Sequence, residues 1–179
     1  RILTFGGLDI ALMGIGREGN IAMNVPGSNL NSVTRLILVD ATSRAEAAHN
    51  LGVDNLPPCS ITLGISTIMA ARKIYLLAWG DDKADIIQKA VEEKVSDAIP
   101  ASYLQTHSNA NVCIDLAAAS HLTRIQRPWL VTNCEWNDKL IRSAIVWLCL
   151  RLKKPILKLT NKDYNENGLS ELLALFGSA

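Results

Sequence analysis

The stretch Leu8-Asp9-Ile10-Ala11-Leu12-Met13-Gly14-Ile15-Gly16-Arg17-Glu18-Gly19-Asn20 decides how this chain is read. Leu8 to Met13 is an apolar run with a single Asp, the pattern of a strand buried in a sheet. The glycines after it predict a turn that leaves the sheet at the strand's carboxyl end. Working outward, Thr34 to Val39 and Cys59 to Ile65 are β-rich runs, and Lys73 to Trp79 is a further buried strand. Asn111 to Ile114 reads as a short one. Ser43 to Leu51 has helical composition and stops at Gly52, and Ser66 or Thr67 is placed to cap a short helix. Asp82 to Val95 carries Ala84, Ile87, Ala90, Val91 and Val95 at helical spacing. Asp115 to Leu122 predicts another short helix. Strands alternating with helices predict an α/β, Rossmann-like, mostly parallel sheet with flanking helices. In such sheets ligands lie at the carboxyl ends of strands.

The last third changes character at Pro128-Trp129. Asn137 or Asp138 caps a long helix to about Leu152, with Ile141, Ala144, Ile145 and Leu148 on one face. Lys153-Lys154 complements its dipole and Pro155 ends it. A final helix is expected from Ser170 to Phe176. Residues 1–127 are read as an α/β domain and residues 128–179 as a C-terminal helical tail.

Composition narrows the functions. The chain has 179 residues, of which 49% are hydrophobic and 20% charged, so disorder is not expected. A net charge of +1 is too small for a surface built to bind nucleic acid. The longest late apolar run, Ala144 to Leu150, is far too short to span a bilayer. Mean hydropathy of +0.16 is high and points to subunit contacts. The four cysteines form no C-x-x-C pair and lie in apolar segments, so buried free thiols of a reducing cytoplasm are expected. No His, Cys, Asp and Glu grouping has metal-ligand spacing. The start, Arg1-Ile2-Leu3-Thr4-Phe5, has no secretory-signal order and no initiator Met.

Gly14-Ile15-Gly16-Arg17-Glu18-Gly19 fits G-x-G-x-x-G, and Asp40 closes the next strand as a ribose-binding acid would. The context opposes a nicotinamide or flavin. Pro26-Gly27 follows within a turn or two, among Asn24, Ser28, Asn29 and Asn31, where the fingerprint needs a helix of several turns. The rival reading is a turn lined by backbone N–H groups, able to hold a sugar or phosphate oxygen. Glu18, Asn20 and Asn24 would then face the pocket.

The run from Gly14 to Ser28, followed by Ser32-Val33-Thr34-Arg35, resembles the glucosamine-6-phosphate deaminase (isomerase) family, whose motif reads G-x-G-x-D-G-H-I-A-F-N-E-P and then S-x-T-R. Ile61 to Met69 is similar to the family's A-x-T-x-G-x-x-T segment, Gly80 to Ala84 to its G-x-x-K-A, and Ser102 to His107 to its S-x-L-Q-x-H. The resemblance covers about Phe5 to Leu122. It implies a phosphosugar isomerase fold, oligomeric assembly and no redox cofactor. It also implies conversion of glucosamine 6-phosphate and water to fructose 6-phosphate and ammonia. Lactonases acting on 6-phosphogluconate share the fold, and the tail resembles a longer bacterial variant.

Departures from the motif define the expected mechanism. The motif Asp falls on Glu18 and its His on Asn20, an amide that cannot carry a proton near neutral pH. The motif Glu falls on Val25. The resemblance implies Glu18 and Asn20 at the catalytic positions and Gly16, Gly19, Asn24 and Lys83 around the substrate. Lys83 matches the position of the family's phosphate lysine, while that of a phosphate-gripping arginine falls near His49. Ser28 and Arg35 match effector-pocket positions whose third, basic member falls on Ile37. His107 and His121 are read as structural. The family's Ser/Thr-Gly-Gly phosphate loop and proton-abstracting Asp would precede Arg1, so the chain is expected to be N-terminally incomplete. Its expected partners are a small-molecule sugar phosphate, with no nucleic acid and no membrane, and a homo-oligomer or a docked N-terminal segment.

Overall fold

The apolar runs do become strands: β1 (Ile10–Gly14), β2 (Arg35–Leu38), β3 (Cys59–Thr62), β4 (Lys73–Ala78) and β5 (Ala110–Ile114). The structure, a computed structural model, describes residues 2–39, 41–54 and 56–177. Its helices are α1 (Ala41–Leu51), α2 (Ile65–Met69), α3 (Ala84–Glu92), α4 (Thr123–Gln126), α5 (Asp138–Leu152), α6 (Asn161–Glu166) and α7 (Ser170–Phe176), with short 3-10 turns between them. The chain forms two compact units, Arg1–Leu122 and Thr123–Ala179. No helix of the described residues is long and apolar enough to cross a membrane.

The first unit is a mixed α/β fold. β1, β4 and β5 form a parallel sheet in the order β1-β4-β5, with Ile10 opposite Lys73 and Ile74 opposite Ala110. Alternation sends Ile74, Leu76 and Ala78 to one face, where they cluster with Ile68, Ala71, Ile86, Ile87 and Ala90. Ile74, Leu76 and Ile87 are each at most 1% exposed. Burying one such side chain contributes about 1.5–3 kcal/mol, so this face anchors the unit.

β2 and β3 depart from expectation. They do not join the parallel sheet but pair with each other, antiparallel, with Leu36 opposite Ile61. Cys59 lies on this ladder's open side and Cys113 on the sheet's second face, so both thiols are exposed rather than buried; Cys134 and Cys149 are half-buried.

Helix ends also differ from the sequence reading. α2 starts at Ile65 behind Gly64, and neither Ser66 nor Thr67 caps it. The Ser66 hydroxyl instead donates to the Ser32 carbonyl at 2.7 Å. The helix expected from Asp82 to Val95 opens as a 3-10 turn, Asp81–Lys83, and stops at Glu92. Gln105 donates to the carbonyls of Ala90 and Glu93 at 2.8 and 2.9 Å, satisfying groups that a longer helix would have used. Asp115 to Leu122 is a chain of turns, not a helix. Bonds from Ser120 to Ala117 and from Leu122 to Ala119 tighten it to three-residue spacing.

The second unit follows the predicted helices more closely. The Asn137 side chain caps α5 by accepting from the Leu140 N–H at 3.0 Å. Lys153 ends the helix in the left-handed region at φ 54°. Trp129, Ala144, Leu148, Leu169 and Leu172 form its core, and Trp129 stacks on Trp136 with centroids 6.2 Å apart. α6 is anchored by Asp163, which accepts from Lys154 Nζ at 2.7 Å and from Thr160 N and Oγ1 at 2.9 Å each. The Lys154 bond first, and then those from Thr160, hold the Asp163 carboxyl below its ordinary value of 3.8. A carboxyl lowered by folding stabilises above its unfolded value and loses that effect as pH falls through the folded one. Asp163→Asn is therefore expected to lower the urea midpoint of the second unit at pH 6 and to flatten its fall between pH 4 and 2. A mutant as pH-sensitive as the parent would refute this assignment.

Candidate functional site

The carboxyl ends of β1, β4 and β5 bring three loops together. After β1 the chain turns at once: the Gly19 N–H bonds the Gly16 carbonyl, and the Gly16 N–H bonds the Asn20 carbonyl, both at 3.0 Å. Gly19 sits at φ +78°, and a Cβ there would lie 2.6 Å from Ile99 Cγ2. Glycine is required on both counts. A Cβ on Gly16 would lie 1.8 Å from Asn20 Oδ1. Asn20 thus lies folded back over its own turn. Glu18, in the same turn, is exposed.

The turn after β4 supplies the cations' meeting point. Asp82 Oδ2 lies 3.6 Å from Lys83 Nζ and 4.0 Å from Arg17 Nε. One carboxylate thus draws the β1 loop and the β4 turn together. The Lys83 side chain is only 21% exposed, so it is no freely solvated lysine. At the end of β5, Asp115 accepts from the Gly80 N–H at 3.2 Å and from the Ala118 N–H at 2.8 Å. Sequence reading passed over Arg17, Asp82 and Asp115. In the sequence, Asp81 and Asp82 fall on the unspecified positions of the G-x-x-K-A match, and Asp82 gains a partner only when β1 is set beside β4.

Asn24 is not placed like Glu18 or Asn20. It is 0% exposed. Its amide donates to the carbonyls of Ile21 at 3.1 Å and Leu63 at 2.8 Å, and its Oδ1 accepts from Arg35 Nη1 at 2.8 Å. Arg35 Nη2 donates to Ser28 Oγ at 3.0 Å. Asn24, Ser28 and Arg35 therefore form one internal network that fastens the loop to β2 and β3, and Asn24 does not project into a pocket. Val25 presents no polar atom and His49 is exposed on α1. Asp40 lies outside the described residues. No helix follows β1, so the geometry of a dinucleotide site is missing from residues 15–34.

The histidines have structural places. His107 Nε2 meets the Ala71 carbonyl at 2.9 Å while its Nδ1 accepts from the Asn109 N–H. His121 pairs with Asp85 at 3.0 Å. Among the described residues no three His, Cys, Asp or Glu side chains gather as metal ligands.

A parallel sheet with glycine-turn loops and a half-buried lysine at its strand ends defines an α/β protein of the class that holds ligands at strand carboxyl ends. The family model of glucosamine-6-phosphate isomerases/6-phosphogluconolactonases matches residues 3–113, and the chain belongs to that family. It is 71% identical over 180 residues to a glucosamine-6-phosphate deaminase-like protein of Bacteroides thetaiotaomicron, covering all of this chain and 27% of that protein. It is 49% identical over 123 residues to the glucosamine-6-phosphate deaminase of Shewanella loihica, covering 68% of this chain and 46% of the enzyme. Among solved structures, a monomeric glucosamine-6-phosphate deaminase superposes with a TM-score of 0.64 at 37% identity, over 67% of this chain and 50% of that one. The 6-phosphogluconolactonase of Trypanosoma cruzi, 21% identical with a TM-score of 0.50 over 65% of this chain and 42% of that one, shares the fold. The chain spans about half the length of the curated deaminases it matches, or less.

Proposed function

We propose that this chain is the part of an amino-sugar-phosphate isomerase/deaminase that binds the sugar phosphate, acting in the cytoplasm without a cofactor and with its ring-opening relay weakened. The relevant reaction is glucosamine 6-phosphate plus water to fructose 6-phosphate plus ammonia. The observation that carries the reading is the convergence of Lys83 and Arg17 on one carboxylate beside the Gly16–Asn20 turn. A phosphate would take the place of the Asp82 carboxylate between those cations, with Lys83 as its principal partner. Gly16 and Gly19 shape the tight turn that meets the sugar, with Asn20 folded over it and the exposed Glu18 beside it. Proton transfer is where the site falls short. Asn20 and Val25 stand where the motif has its His and Glu, and losing one positioned acid–base group costs about 10²- to 10⁴-fold.

The alternative is a non-catalytic sugar-phosphate-binding or assembly module of the same fold. Val25, with no group able to move a proton, favours it for the isolated chain. Calorimetric titration with glucosamine 6-phosphate separates the two. Saturable heat without ammonia is expected, weakened at least tenfold in Lys83→Met. Sustained heat with ammonia release would establish turnover and overturn the weakened relay. Absence of binding, or equal binding by Lys83→Met, would overturn the assigned site. A homo-oligomer is not needed for this reading, since a deaminase of the same fold is monomeric. The docking of a completing segment suits it better.

A further inference from the structure

Arg17 and Asp82 fall on positions that the G-x-G-x-D-G-H and G-x-x-K-A motifs leave open, so the motifs do not dictate their pairing. The Asp82 carboxylate nonetheless has a made seat. Gly80 is at φ +89°, and a Cβ there would lie 2.9 Å from Asp82 Oδ1. The carboxylate thus folds back into the room that the missing side chain leaves. The Gly80 N–H is in turn held by both Asp115 oxygens at 3.2 Å, which fixes the turn against the end of β5. From this seat Asp82 Oδ2 reaches Lys83 Nζ at 3.6 Å and Arg17 Nε at 4.0 Å.

The pair is lopsided. The Lys83 side chain is 21% exposed and that of Asp82 is 50% exposed. The cation is fixed in the site, whereas the anion has a short side chain and open water to swing into. Among the described residues Lys83 pairs with no other acid, since Asp85 is engaged by His121 at 3.0 Å and Lys89 at 3.9 Å. Ion pairs this long and this exposed add little to stability. What Asp82 does add is a negative charge at the place a phosphate must take, and like charges at that range repel.

We propose that Asp82 is an internal competitor for the phosphate seat, an autoinhibitory carboxylate that a sugar phosphate must push out to water before Lys83 and Arg17 close on it. The identity of the ligand rests on the proposed function. Arg17 passes from Asp82 to the ligand, so the β1 turn is clamped to the β4 turn by an internal anion when the site is empty and by the phosphate when it is full. Affinity is held down without altering the groups that grip the ligand.

The test is calorimetric titration of the full chain and its variants, with glucosamine 6-phosphate and with inorganic phosphate as probes. Asp82→Asn keeps the shape and removes the charge, and should bind both probes about fivefold more tightly or better. Asp82→Glu restores the charge and should return to within about twofold of the parent. The gain in Asp82→Asn should fade in about 1 M NaCl, where screening shortens to about 3 Å, a response that a merely structural role would not give. Arg17→Met should weaken binding, as Lys83→Met does. An Asp82→Asn chain that binds no tighter, or whose gain ignores salt, would overturn the competitor while loss of binding in Lys83→Met left the site standing. Asp82→Asn binding where the parent gives no heat would uphold the competitor in its strongest form. Absence of binding in both, or binding that Lys83→Met leaves intact, would refute the functional reading and the competitor with it.

Discussion

Gly64→Ala is expected to lower the thermal midpoint of the first unit by about 10 °C, a loss of about 3 kcal/mol. Gly64 has φ −72°, which alanine accepts, so backbone strain plays no part. The cost is steric. A Cβ there would lie 2.1 Å from the Ser32 carbonyl oxygen and 2.4 Å from the carbonyl carbons of Ser32 and Val33. Those atoms are backbone, with no rotamer through which to withdraw. They also receive the start of α2: the Ser66 N–H bonds the Ser32 carbonyl, and the Ile65 N–H bonds Ser32 Oγ, each at 3.0 Å. Relieving the clash breaks that clip. Melting followed by circular dichroism checks this, and an unchanged midpoint would show that the approach of residues 32 and 64 is not needed for folding.

Asn24→Ala should cost a similar amount, about 3 kcal/mol in urea unfolding. Its amide makes bonds to two carbonyls and to a guanidinium from one buried position. Removing it leaves Arg35 short of an acceptor, which is dearer than losing a neutral bond. Arg35→Met alone should cost less, because Asn24 keeps both carbonyls. The double mutant should fall short of the sum by about 1 kcal/mol or more, as coupled neighbours do. Strict additivity would refute the network.

The parallel strands were legible because their runs are apolar on a scale that only a buried sheet explains. Leu8 to Met13 and Lys73 to Trp79 both fall within a residue or two of β1 and β4. The antiparallel pairing of β2 with β3 was not legible. Alternation of strand and helix along a chain says nothing about which strand sits beside which. Nor could the length of α3 be read, since Gln105, thirteen residues past its end, closes it. At the candidate site, Gly16 and Gly19 lie in the turn after β1 and Lys83 in the turn after β4. Asn24 shows the limit of reading by residue type: a polar side chain in a ligand-type loop proved to be internal fastening. Asp82 was missed because its partner Arg17 is remote in sequence.

The register of β1 carries a kinetic consequence. Ile10 finds Lys73 across 63 residues, whereas Ile74 finds Ala110 across only 36. Chain closure costs more over the longer span, so β4, α3 and β5 assemble first and β1 is added last. With one neighbour rather than two, β1, like β5, opens more readily than the central β4 afterwards. The turn that faces the proposed ligand thus hangs from an edge strand that is added last. Amide exchange would show it as residues 10–14 opening ahead of residues 73–78.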